Sequence, residues 1–123
     1  MATWADVSSV VATLPETVEV KPHDWRVRKK LLVWERPLRA ADLEALGHDA
    51  PDGEILGVRV ADEGVKFALI ADEPGVYFTT PHFDGYPMVL VRLVEIGVSE
   101  LVTDAWLVQA PKTLVRKFLA DRS

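Results

Sequence analysis

The residues best placed to do chemistry are His82 and its neighbours. Thr79 and Thr80 carry hydroxyls and Asp84 a carboxylate, all close to His82 in sequence. A hydroxyl nucleophile needs a base beside it and a third group to orient that base. Such partners usually come from separate elements, and the chain has no Gly-x-Ser-x-Gly elbow. It has no cysteine either, which removes thiolate nucleophiles, disulfides and thiolate metal sites. A metal reading of His82 with Asp84 lacks the further ligands of a dedicated site, and His23 and His48 stand in other loops without ligand spacing. The seven glycines are scattered, and none forms a phosphate-cradling run before a helix. The expectation is a non-enzymatic protein: no catalytic residue, no metal and no cofactor.

The second set of residues is cationic. The chain is acidic, with a net charge of −5 and a pI near 5.1, which argues against indiscriminate polyanion binding. Its cations are concentrated in two segments: residues 21–39 carry +5 and residues 105–123 carry +3, while residues 40–104 carry −10. Arg26, Arg28, Lys29 and Lys30 form the core of the first group, and Lys112, Arg116 and Lys117 that of the second. Two readings apply. Charge at strand edges and tips keeps a sheet from pairing with other chains. The same cations, brought to one surface, would contact phosphates. Base reading is poorly provided for, since there is no Asn and a single Gln, Gln109.

The elements that must position these residues follow from pattern. At 123 residues and 49% hydrophobic, the chain is long enough for one domain with a core. Thr3 and Asp6 form a capping box before a helix bearing Val7, Val10 and Val11. Val18 and Val20 alternate with Glu19 as a half-buried strand. Trp25-Arg26-Val27-Arg28 alternates too, with both arginines on the outer face and Lys29-Lys30 at the turn into Leu31–Trp34. Residues 37–53 read as a helical connection ending at Gly47. Ile55, Val58 and Val60 mark a strand. Residues 62–73 fit either a strand or a helix capped by Asp62. Val76–Thr79 and Met88–Leu93 are strands, the latter apolar enough to be covered on both faces. Ser99 is the expected cap of a helix bearing Val102, Ala105 and Trp106. A last helix after Pro111 carries Leu114, Val115, Phe118 and Leu119, with Lys112 and Arg116 opposite.

Between the two final strands lies Thr80-Pro81-His82-Phe83-Asp84-Gly85-Tyr86-Pro87, rich enough in turn formers to interrupt the ladder. His82, Asp84 and Tyr86 are the candidates for holding this loop from within. The whole stretch FTTPHFDGYPMVLVRL resembles the MmcQ/YjbR family of small bacterial proteins. Ala105-Trp106, Ala110-Pro111-Lys112, Trp4-Ala5-Asp6-Val7, Trp25–Arg28 and Lys30-Leu31-Leu32 extend the resemblance over most of the chain. It implies a single α+β domain over residues 1–123, with a central, mostly antiparallel sheet flanked by N- and C-terminal helices, likened to CyaY and secretion-chaperone folds. It also selects the helix for residues 62–73, implies a DNA-binding role and supplies no catalytic residues.

Two functions from different classes are therefore expected. One is a cytoplasmic DNA-binding module using Arg26, Arg28, Lys29, Lys30, Lys112, Arg116 and Lys117. The other is an adaptor binding a protein or small ligand through Thr80, Pro81, His82, Asp84, Gly85, Tyr86 and Pro87. No membrane partner is expected, because no apolar run reaches spanning length. Trp25 and Trp34 flank the basic run and would offer stacking surfaces if exposed; burial is the expectation for both.

Overall fold

The computed structural model describes residues 2–51, 53–93 and 97–122. Six strands make a single sheet in the order β1-β2-β3-β4-β6-β5, each pairing antiparallel with its neighbour. The strands are β1 (Thr17–Lys21), β2 (Asp24–Val27), β3 (Lys30–Glu35), β4 (Ile55–Arg59), β5 (Tyr77–Phe78) and β6 (Met88–Arg92). The helices are α1 (Trp4–Val11), α2 (Ala40–Leu46), α3 (Glu63–Asp72), α4 (Val98–Gln109) and α5 (Lys112–Asp121). This is an α+β domain with helices at both ends of the chain. Among the described residues no helix is long and apolar enough to cross a membrane.

The capping box forms as expected: the Thr3 amide donates to Asp6 Oδ2 at 2.8 Å, and the Asp6 amide donates to Thr3 Oγ1 at 3.3 Å. It starts α1 so that Val7 and Val11 meet the sheet. Alternation along β4 sends Leu56 and Val58 to the helix-covered face, where they join Trp25, Val27, Val89 and Val91 of neighbouring strands beneath Val102, Ala105 and Trp106 of α4. The Trp106 indole N–H donates to the Pro15 carbonyl at 3.0 Å, closing the turn after α1 onto α4. Phe118 of α5 packs on Trp106 with ring centroids 4.7 Å apart.

The opposite face is only partly covered. Ile55, Met88 and Leu90 form a smaller cluster there with Phe83, Trp34, Leu38 and Phe78. Gly57 in β4 lies under Trp34: a Cβ at this position would sit 2.7 Å from two carbons of the indole. The glycine is therefore required by the ring lying on the strand. Gly57→Ala is expected to cost about 1–3 kcal/mol by overpacking, read as a lowered thermal midpoint together with a changed Trp34 environment in near-UV circular dichroism.

Three expectations are corrected. Val18 and Val20 are 56% and 54% exposed, because β1 is the sheet edge and no helix layer covers it there. Arg28 is not on the strand's outer face: β2 ends at Val27, and Arg28 (φ 44°) and Lys29 (φ 74°) are the central pair of the β2–β3 turn, with Lys30 already in β3. Both angles are left-handed, as a two-residue hairpin of this twist demands. Position 98 begins α4 after Gly97, so Ser99 lies inside the helix and caps nothing. The helix expected over residues 62–73 forms at Glu63–Asp72, with Asp62 Oδ1 accepting from the Val65 amide at 2.9 Å as its cap, and the side chain it buries fully is Lys66.

Candidate nucleic-acid interface

The two basic segments come to the same end of the molecule. Gln109, at the end of α4, donates from Nε2 to the Leu31 carbonyl at 2.9 Å, which seats the α4–α5 junction against the start of β3. The Arg28 guanidinium grips Glu16 through Nε (2.6 Å) and Nη2 (2.8 Å). Glu16 in turn lines a cavity of about 370 Å³ with Lys117 and Asp121 of α5. Hydrogen bonds from Arg28 hold the Glu16 carboxyl below its ordinary range. Acids thus sit beside Arg28 and Lys117, whereas Lys29, Lys30, Lys112 and Arg116 have no carboxylate at ion-pair distance among the described residues.

Left-handed φ at Arg28 and Lys29 is a strain that Asn-Gly would avoid. Arg28→Asn with Lys29→Gly is expected to raise hairpin stability by about 1 kcal/mol while weakening any polyanion binding. Thermal denaturation and an anion titration, run in parallel, read the two effects separately.

Arg26 leads from this end onto the uncovered face. It bonds Asp24 (Nε to Oδ1, 3.0 Å), and both line a groove of about 410 Å³ together with Leu31, Trp34, Arg36, Arg39, His82 and Phe83. A second concavity of about 280 Å³ adjoins it, sharing Leu31, Trp34, His82 and Phe83 and adding Arg59, Tyr86 and Met88. Both lie within or near the usual size of small-ligand sites. Across the two, Lys21, Arg26, Arg36, Arg39 and Arg59 face Asp24 and Glu35. Those two acids are already engaged: Asp24 with Arg26 and Lys21, and Glu35 with His23 Nδ1 at 2.7 Å. Arg36 is also engaged, lying 3.0 Å from the buried Asp42.

One wall of the groove is the 80–87 loop, and its support is not the expected one. His82, Asp84 and Tyr86 are exposed, and no side-chain hydrogen bond of theirs occurs among the described residues. His82 only meets Phe83 edge-on, with centroids 4.8 Å apart. The loop is instead held from outside by two buried cations. Lys66 of α3, with no exposed surface, donates from Nζ to the carbonyls of Phe83 (2.8 Å) and Tyr86 (3.2 Å). Arg36 places its guanidinium 5.1 Å from the Phe83 ring centre and donates to the Pro37 carbonyl. Asp42 of α2 anchors Arg36. Burial works against the Asp42 carboxylate, but the Arg39 amide and the Arg36 guanidinium outweigh it and hold the pKa below the ordinary value. The helical connection between β3 and β4 thus serves to deliver Asp42.

Of the residues singled out from sequence, Arg26 and His82 line the groove, Tyr86 lines its second part, and Phe83 between them fills its wall. Pro81, Asp84 and Gly85 are exposed on the loop, and Thr80 is buried beneath it. Trp25 is buried, but Trp34 is only half-buried. Arg36, Arg39, Arg59, Asp42 and Lys66 were not indicated. Among the described residues no three His, Asp or Glu side chains gather as a metal-holding group.

Uncharacterized protein Rv2570 of Mycobacterium tuberculosis is 68% identical over 127 aligned positions, with 98% of each chain covered, and uncharacterized protein Mb2600 of Mycobacterium bovis matches equally. The chain belongs to the family of these mycobacterial proteins. No family model matches it. Its fold is similar to that of Deinococcus radiodurans protein DR2400, a DUF419 domain, at a TM-score of 0.61 and 18% identity, covering 96% of this chain and 88% of that one. None of these relatives carries an assigned function or the MmcQ/YjbR name.

Proposed function

We propose that the protein is a non-enzymatic, cytoplasmic module that binds DNA, contacting phosphates through the surface formed by the β2–β3 hairpin and the start of α5. The observation that carries this reading is the meeting of two cationic segments, remote in sequence, at one end of an acidic protein: Gln109 ties α4 to β3 beside Lys30, and Lys112 follows it. Phosphate contacts position a protein without reading sequence, which suits a surface with no amide side chain free to recognise adenine. The resemblance of residues 78–93 to MmcQ/YjbR proteins, described as DNA-binding and likened to CyaY, supports the same reading.

Lys29 and Lys30 are the most accessible test, since neither is engaged by a carboxylate among the described residues. Reversing both to Glu is expected to lower affinity for a labelled duplex at least tenfold. It should also flatten the log–log salt dependence by about 0.9 for each phosphate no longer neutralised. Unchanged affinity and slope in a folded double variant would contradict the reading.

A further inference from the structure

We propose that the groove on the uncovered face of the sheet is a site for an unstacked nucleotide, with the Trp34 indole as the platform for its base and Arg59 as the contact for its phosphate. Such a site deepens the DNA-binding reading and rests on it for the source of the nucleotide, a single strand.

The platform follows from Gly57. Three ring atoms of Trp34 would lie within 3.0 Å of a Cβ at that position, so the indole covers the glycine with its flat side. Trp34 lines both adjoining concavities, and the ring is thus packed beneath and open on the groove side. Indoles held in this way stack on any base, because every base has a π face. Phe83 and Tyr86, the latter 58% exposed, line the second concavity with Trp34.

The phosphate contact follows from Arg59. It is half-buried, its Nε is sealed from solvent without a hydrogen-bond partner, and no carboxylate lies at ion-pair distance among the described residues. Buried guanidinium groups are normally satisfied, and Arg59 differs in this from Arg26 and Arg36, which lie beside the same floor and have their acids. Nε itself stays sealed, but Arg59 lines the second concavity and has no carboxylate there, so an anion entering it would give the guanidinium its missing counter-charge, in the charge-assisted geometry arginine offers phosphate. Duplex DNA keeps its bases stacked and cannot present one to Trp34, so the site favours single strands.

The test uses the full chain, tryptophan fluorescence and three probes: a nucleoside 5′-monophosphate, a single-stranded oligonucleotide, and the duplex of the same sequence. The expected result is quenching by the single strand, binding at least tenfold tighter than the duplex, and loss of that preference in Trp34→Leu, with affinity falling roughly ten- to a hundredfold. Arg59→Gln, which leaves the platform in place, should weaken the single strand and spare the duplex. Quenching by the monophosphate that is lost in both variants supports the site with a free nucleotide as its source. Equal binding of strand and duplex, unaltered by either substitution, overturns the groove site while leaving the hairpin reading intact. Failure of both DNA forms together with absence of quenching by the monophosphate overturns both.

Discussion

Asp42→Ala is expected to lower stability by about 3–5 kcal/mol, the usual cost of leaving one member of a buried ion pair alone. Arg36 and Asp42 are 6% and 3% exposed, so the abandoned guanidinium has no easy path to water. The damage should reach the groove, because Arg36 also supports the Phe83 ring. The pair gives the protein a pH signature with a definite sign. The folded-state pKa of Asp42 lies below its unfolded value, so its contribution is fully present above the ordinary carboxylate range, near pH 3.9. It is lost as pH falls through the lowered folded value. Chemical denaturation across that window should show a steep acid limb in the wild type and a shallower one in Asp42→Asn. An identical limb in both would mean that Asp42 does not set the acid sensitivity of the fold.

Lys66→Ala should cost about 2–5 kcal/mol, since a fully buried side chain of this length is deleted and a cavity replaces it. Two hydrogen bonds from a charged donor disappear as well, each worth about 1.5–3 kcal/mol before the ammonium's desolvation is set against them. Lys66→Met separates the two contributions. Methionine restores most of the volume, so stability should recover in part. The carbonyls of Phe83 and Tyr86 keep only the backbone partners they already have, the amides of Tyr86 and Met88. The loop then loses its outside tether, and the groove wall should loosen. Hydrogen exchange over residues 80–87 reads this directly: protection should fall in Lys66→Met more than global stability explains. Protection that tracks global stability alone would show that Lys66 fills space and does not position the loop.

These two cations explain why the groove was hard to see in the sequence while the elements around it were not. The capping box at Thr3 and Asp6 is a local signal, and so is the apolar run of β6; both formed where their residues stood. Lys66 carries no such signal. It sits between Val65 and Phe67, which are 39% and 53% exposed, while Leu69 and Ile70 one turn on pack against the core, so the apolar residues of α3 do not mark the face that holds Lys66. Its partners are backbone carbonyls 17 and 20 residues away, and a carbonyl leaves no mark on composition. The Arg36–Asp42 pair is similar, since only the path of the chain through Pro37 and α2 brings the two together. The β2–β3 turn was displaced by one residue because Arg28-Lys29 contains neither Gly nor Asn, the usual marks of left-handed backbone. Trp34 could have been singled out by Gly57 in an otherwise apolar strand, a sign of close approach; that glycine reads equally as a bulge until the ring is seen to cover it.

Attraction of a polyanion to one surface of an acidic protein is the central claim, and the salt dependence of binding tests it most directly. Labelled oligonucleotide titrated by anisotropy at several salt concentrations should give a dissociation constant below roughly 100 μM at low salt. The log–log slope should be negative and correspond to about three or four neutralised phosphates, as expected from Lys29, Lys30, Lys112 and Arg116. No anisotropy change up to that concentration, or binding indifferent to salt, would contradict it.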